Sequence, residues 1–187
     1  MLLKWLTRLF LIAGLSIVAY SGYMIWDGNK QVSDTLTEAK DLVSEPSTPS
    51  KFNPKLNDVI GIISIPKLDK DLPILIGTED EQLNRGVGHY VGTKFPGENG
   101  QILLSGHRDT VFRGLGDLLH GDEIKLDVEY GSFSYEIVNT YIVDADDTSV
   151  IDFNLDEEVL VLSTCYPFSY VGNAPQRYII EAKPTKQ

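Results

Sequence analysis

Hydrophobic and polar positions divide the chain into three stretches of different pattern. Residues 9–26 form an apolar run of 18 positions without a charge. At about 1.5 Å per helical residue it covers roughly 27 Å, close to the hydrocarbon thickness of a bilayer. Trp5, Tyr20, Tyr23 and Trp26 sit near its ends, where amphipathic rings favour the membrane–water boundary. Lys4 and Arg8 precede the run and Asp27 follows it. Residues 1–8 are therefore expected in the cytoplasm, 9–26 across the membrane and the rest outside the cell. A cleavable leader is the competing reading. The run is long for one, and Ala19-Tyr20-Ser21 is a poor small-residue cleavage site.

Residues 27–57 are polar and end in Ser44-Glu45-Pro46-Ser47-Thr48-Pro49-Ser50. Val32, Leu36, Ala39 and Val43 recur at helical spacing, which predicts a short helix ending before Pro46. The segment reads as a stalk that lifts the following domain off the bilayer, or equally as a floppy linker with no role beyond reach.

From 58 to 187 the pattern turns to short apolar and alternating runs bounded by Gly and Pro. Strands are predicted over 60–66, 72–76, 101–107, 122–129, 132–143, 159–165 and 177–182, with Pro73 marking the second as an edge. Thr78 with Glu81 suggests a capping box opening a short helix to about Asn84. Tyr130-Gly131 is expected to turn a long hairpin in which Phe133, Tyr135 and Ile137 alternate with polar neighbours. Seven or eight strands with hardly any helix predict an all-β domain closed into a barrel, which also removes exposed edges.

Composition narrows the function. With 16 basic and 27 acidic residues the net charge is -11, the wrong sign for a nucleic-acid binder. The single cysteine, Cys165, has no disulfide partner in the chain and cannot build a Cys-rich zinc site. A lone cysteine is most often a small buried hydrophobe. Here it ends the apolar run Val159-Leu160-Val161-Leu162-Ser163-Thr164 and is followed by Tyr166-Pro167-Phe168, which places the thiol at a strand mouth. His107 stands at a similar place, where Ile102-Leu103-Leu104 opens into Ser105-Gly106-His107-Arg108-Asp109. Arg177 opens the strand after a loop containing Gly172, Asn173, Ala174 and Pro175. A thiol, an imidazole and a permanent cation at strand ends match what peptide acyl transfer needs. They supply a nucleophile, a proton donor for the leaving amine, and a stabiliser for the tetrahedral oxygen.

These segments resemble the motifs of the sortases. Val161-Leu162-Ser163-Thr164-Cys165 is similar to the Thr-Leu-x-Thr-Cys signature, with Val161 in place of the threonine. Ser105-Gly106-His107-Arg108-Asp109 resembles the sortase histidine segment, and Ala174-Pro175-Gln176-Arg177-Tyr178 the arginine strand. The set looks most like the class D sortases of Gram-positive, Bacillus-type bacteria. The resemblance implies an eight-stranded β-barrel over residues 58–187. It also implies a transpeptidase in which Cys165 attacks a Leu-Pro-x-Thr sorting signal of surface proteins. His107 would protonate the leaving amine, Arg177 would hold the oxyanion, and a thioacyl enzyme would pass to an amine of peptidoglycan or its lipid-linked precursor. No cofactor is implied. A hydrolase using the same residues, and a silent extracellular binding module, are the competing functions. A papain-like protease is disfavoured because its cysteine precedes its histidine.

Secondary candidates surround this set. Ser105 and Thr164 flank the histidine and the cysteine within their motifs. Asp109 either orients His107 or caps the turn. His89, in Gly86-Val87-Gly88-His89-Tyr90, either supports the site or packs in a glycine-rich turn. His120 reads as a surface turn residue, and Arg108 and Arg113 as partners of surface carboxylates. Tyr166, Phe168 and Tyr170 either wall a substrate groove or simply pack. The acidic residues Asp144, Asp146, Asp147, Asp152, Asp156, Glu157 and Glu158 lack the EF-hand layout. They read as a solvated loop, leaving room for weak divalent-cation stimulation and no metal site.

Overall fold

The computed structural model describes residues 2–44, 48, 52–170 and 172–185. Eight strands close a barrel: β1 (Val59–Ile65), β2 (Lys70–Ile76), β3 (Val87–His89), β4 (Gln101–Gly106), β5 (Glu123–Val128), β6 (Gly131–Asp144), β7 (Val159–Tyr166) and β8 (Gln176–Pro184). Around the ring their order is β1-β2-β3-β4-β7-β8-β6-β5. The interior is filled by alternate residues of these strands, among them Ile63, Ile74, Leu104, Leu126, Tyr135, Leu162 and Ile180, all but fully buried. A second, smaller cluster of Leu103, Val161 and Ile179 lies on the other face of β4, β7 and β8. Val150 and Ile151 of the β6–β7 connection cover it.

The strand missing from the sequence reading is β3. The segment read as a glycine-rich turn is extended and pairs with β2 and β4. Its glycines serve close backbone approach rather than turning. A Cβ on Gly88 would lie 2.3 Å from the Gly77 carbonyl oxygen, and one on Gly86 2.5 Å from that of Pro73. With β3 in place, β2 is an interior strand rather than an edge. Pro73 is tolerated because β3 pairs only with residues 74–76. The hairpin turn is Glu129-Tyr130, one residue earlier than expected, with Val128 facing Gly131. The short helix α2 (Asp80–Leu83) is capped by Glu79 rather than Thr78, and the Glu79 N–H donates to Gln82 Oε1 at 2.9 Å.

Residues 27–44 do form a helix, but as the direct continuation of the apolar run: α1 is one helix from Leu2 to Ser44. The stretch 4–26 is exposed on all sides. Beyond it, Val32, Thr35, Leu36 and Ala39 turn one face onto the barrel, with Thr35 4% and Ala39 0% exposed. That face packs along β1 and β2 and touches β5. Residues 28–44 of the stalk segment are thus a helix docked on the barrel, because its apolar positions found a surface there to cover. Among the proline-rich residues that follow, 45–47 and 49–51 lie outside the described residues.

Candidate active site

Register brings the three motif residues side by side. β4 and β7 are parallel neighbours in which Gly106 faces Thr164, so the next position on each is His107 and Cys165. β7 and β8 are antiparallel, and Cys165 faces Arg177. Residues opposite one another across a ladder point to the same face. Leu160, Leu162 and Thr164 point into the barrel, which leaves Val161, Ser163 and Cys165 on the outer face. Three rows result on that face. Leu103, Val161 and Glu181 form the lowest, Ser105, Ser163 and Ile179 the middle, and Cys165 with Arg177 the uppermost, while His107 follows directly on the end of β4. Cys165 is a free thiol, half-buried.

Thr164 is a tie between the two strands. Its hydroxyl is buried and donates to the Gly106 carbonyl at 2.7 Å, locking the end of β7 to the end of β4. Ser105 lies on the outer face, in the row below Cys165. Gly106 has no room for a side chain, since a Cβ there would meet Phe112 at 2.7 Å and Val111 at 2.8 Å. Those two residues and Leu115 plug the segment after His107 into the core. The His107 carbonyl accepts the Phe112 N–H at 3.0 Å.

Lys70 completes this anchorage. Its ammonium donates to the carbonyls of Arg113 (2.8 Å), Val111 (3.0 Å) and Thr110 (3.4 Å). Burial, with the Arg113 charge nearby, holds its pKa below the usual lysine range. Arg108 performs a similar office on the other side. Its Nη2 donates to the carbonyls of Tyr170 (2.6 Å) and Gly172 (3.3 Å), joining the β4–β5 and β7–β8 connections. Arg108 thus binds backbone carbonyls rather than a surface carboxylate, and among the described residues no ion pair engages Arg113 either. Arg177 Nη1 donates to the carbonyls of Gln176 (3.0 Å) and Ala174 (3.3 Å), which seats the guanidinium at the loop end.

The remaining candidates separate from the site. Asp109 is exposed, and among the described residues no hydrogen bond joins it to His107. His89 is 1% exposed; its Nε2 lies 2.9 Å from the Lys94 carbonyl and its ring stacks on Phe95 at 4.6 Å. Because β3 runs antiparallel to β4, the chain leaves His89 toward the Gln101 end, away from Gly106. His120 is an exposed turn residue. Tyr166 and Phe168 pack with Tyr178, at 6.1 and 5.3 Å, and Phe168 also covers Gly116. Tyr170 is exposed.

Four of the seven acidic residues have partners of their own. Asp147 and Asp152 accept the Ser149 and Asn154 N–H groups at 2.9 and 2.8 Å. Glu157 pairs with Lys183 at 3.0 Å, and Glu158 accepts the Tyr135 hydroxyl at 2.6 Å. Sequence reasoning missed Lys70 and Gln101. The Gln101 amide donates to the Val150 carbonyl (2.8 Å) and accepts the Asp152 N–H (3.0 Å), holding down the β6–β7 connection. Beneath that connection is a cavity of about 330 Å³, bordered by Tyr141, Val150, Val161 and Glu181.

Comparison with known proteins bears on the fold and the family. A model of the sortase domain matches residues 63–185. Sortase D of Bacillus subtilis is 48% identical, over 97% of this chain and 98% of that protein. Among solved structures, a Clostridium perfringens sortase D5 transpeptidase superposes with a TM-score of 0.73 at 31% identity, covering 84% of this chain and 99% of its own. Sortase C of the same species, solved with the C-terminal cell wall sorting motif, gives 0.65 at 27% identity over 84% and 89%. The chain belongs to the sortase family, cysteine transpeptidases that attach surface proteins to the cell wall.

Proposed function

We propose that Cys165, His107 and Arg177 carry the transpeptidation, and that the donor is a surface protein with a Leu-Pro-x-Thr-type sorting signal. The observation behind this reading is the register that sets Cys165 opposite Arg177 and puts Gly106, the residue before His107, opposite Thr164, the residue before Cys165. Cys165 Sγ attacks the threonine carbonyl carbon, and the negative oxygen that forms is held by the Arg177 guanidinium, charged at every working pH. His107 gives a proton to the leaving amine as the carbon–nitrogen bond breaks, leaving a thioester on Cys165. A peptidoglycan amine, free or on the lipid-linked precursor, then gives its proton to His107 and attacks. The amide forms as the thiolate leaves. Each step uses side chains alone, and neither a cofactor nor a divalent cation enters the scheme.

Residues 9–26 of α1 anchor the enzyme in the membrane; the flanking Lys4 and Arg8 support a cytoplasmic N-terminus and a catalytic domain on the outer face. Full-length protein in detergent, mixed with a Leu-Pro-x-Thr-Gly peptide, is expected to gain the acyl mass on Cys165. That mass should be absent in Cys165→Ala and discharged faster by an added amine, with amide as the product. Absence of any acyl mass would sink the assignment, and acid as the sole product would make the chain a peptidase.

A further inference from the structure

The barrel has two ends, and α1 leaves it at one of them. Toward the C-terminus of the helix, Glu38, Asp41 and Leu42 flank Val59, the first residue of β1. Glu38 also lies 3.8 Å from Arg85, just ahead of β3. Moving toward the N-terminus, the docked face carries Leu36, Thr35 and Val32, and Gly28 and Asp27 are still half-buried. The stretch 28–44 is about 24 Å long at 1.5 Å per residue. The seven-residue β1 measures about 23 Å. Laid along β1 with residues 38–42 beside Val59, the helix would bring residue 28 to about the level of Ile65. Ile65 faces Lys70, and Lys70 holds the segment that follows His107. On that course the helix would depart at the end of the barrel that carries the site. Trp26, last residue of the apolar run, lies just beyond.

We propose that the barrel stands on the membrane with its site end down. The rim formed by residues 66–70 and 107–122 rests against the lipid headgroups, and the site opens along the bilayer surface. This rests on residues 9–26 spanning the bilayer. Two further features of the rim fit a lipid contact. Leu119 is 64% exposed there, and Tyr170 of the neighbouring β7–β8 connection 45%. The two rim segments hold four basic residues (Lys67, Lys70, Arg108, Arg113) against four acidic ones (Asp69, Asp109, Asp117, Asp122), on a chain whose net charge is -11. The strongly acidic 152–158 segment runs down to the start of β7, at the opposite end, where Val159 pairs with Gln101. An anionic lipid surface would repel that end and not the rim. In this pose an amine carried on a lipid reaches the thioester without leaving the membrane plane.

The test uses the full chain in liposomes, with Cys165→Ser removing the native thiol. Leu119→Cys on the rim, or Leu56→Cys near the end of β2 at the opposite end of the barrel, is then labelled with an environment-sensitive fluorophore. A quencher is placed on the lipid headgroups. The label at 119 is expected to lose most of its emission and the label at 56 to keep it. Equal quenching, or the reverse order, in chains that resist a carbonate wash would overturn the orientation alone. Chains stripped from the liposomes by the wash would overturn the anchor and the orientation together.

Discussion

His107, following β4, and His89, ending β3, lie on neighbouring strands in opposite settings. The His107 end is organised by cations that gather backbone carbonyls: Lys70 takes three from the segment after His107, and Arg108 takes two from the β7–β8 connection. The His89 end is organised by rings. His89 stacks on Phe95, Phe95 meets Phe52, and Phe52 meets Tyr130, whose hydroxyl donates to the Pro96 carbonyl. Cation-to-carbonyl ties are directional and fix where loops sit, whereas ring packing buries area and fixes how firmly the fold holds. The comparison separates geometry for chemistry at one end from stability at the other.

The sharpest division comes from Arg177→Lys, which keeps the charge and loses the planar fork. About a 10²–10³-fold fall in kcat is expected, with the melting temperature little changed, read from acyl-enzyme formation and a thermal scan. Lys70→Met is next. Releasing the three carbonyls lets the His107 segment drift, and roughly a tenfold fall in kcat with KM unchanged is expected. Lys70→Arg should recover part of that loss; a change confined to KM would break the assignment of Lys70 to the site end.

At the other end the readout is stability. Burial holds the His89 pKa below its usual value of 6.5, with the Lys94 carbonyl opposing the shift only in part. The unfolded chain therefore binds a proton more readily than the folded one as pH falls through about 6.5, and stability drops on acidification. The melting temperature should fall less between pH 7 and pH 5 in His89→Gln than in the parent. Parallel curves would remove His89 from this role. The smallest effect belongs to Tyr135→Phe, which takes from Glu158 the hydroxyl that donates at 2.6 Å and leaves the Gly97 N–H at 2.9 Å. About 1 kcal/mol of stability should be lost by denaturant titration, with kcat intact.

Much of this division was legible in the chain. Seven strands announced themselves through runs and alternation, and the strand ends bearing His107, Cys165 and Arg177 stood out by their flanking Gly and Pro. What stayed hidden depends on contacts between distant segments. β3 is three residues long, and Gly88 within it and Gly86 before it mimic a turn; only the carbonyls of Gly77 and Pro73, pressed against them, show why glycine is required. Lys70 looks like any surface lysine until the loop 40 positions later folds over it. The periodicity of Val32, Leu36, Ala39 and Val43 gave the helix correctly, but amphipathic spacing does not say what covers the apolar face, and here it is β1 and β2.

The continuity of α1 through Asp27 turns residue count into angle. No loop interrupts the helix between the exposed apolar stretch and the face that grips the barrel. The barrel's azimuth about the span is consequently phased to it, like a key on a shaft. Each residue inserted at the junction would turn the domain by about 100° and lift it by about 1.5 Å. An insertion of four residues would leave the barrel only about 40° out of phase, whereas two would swing it by about 200° at almost the same height.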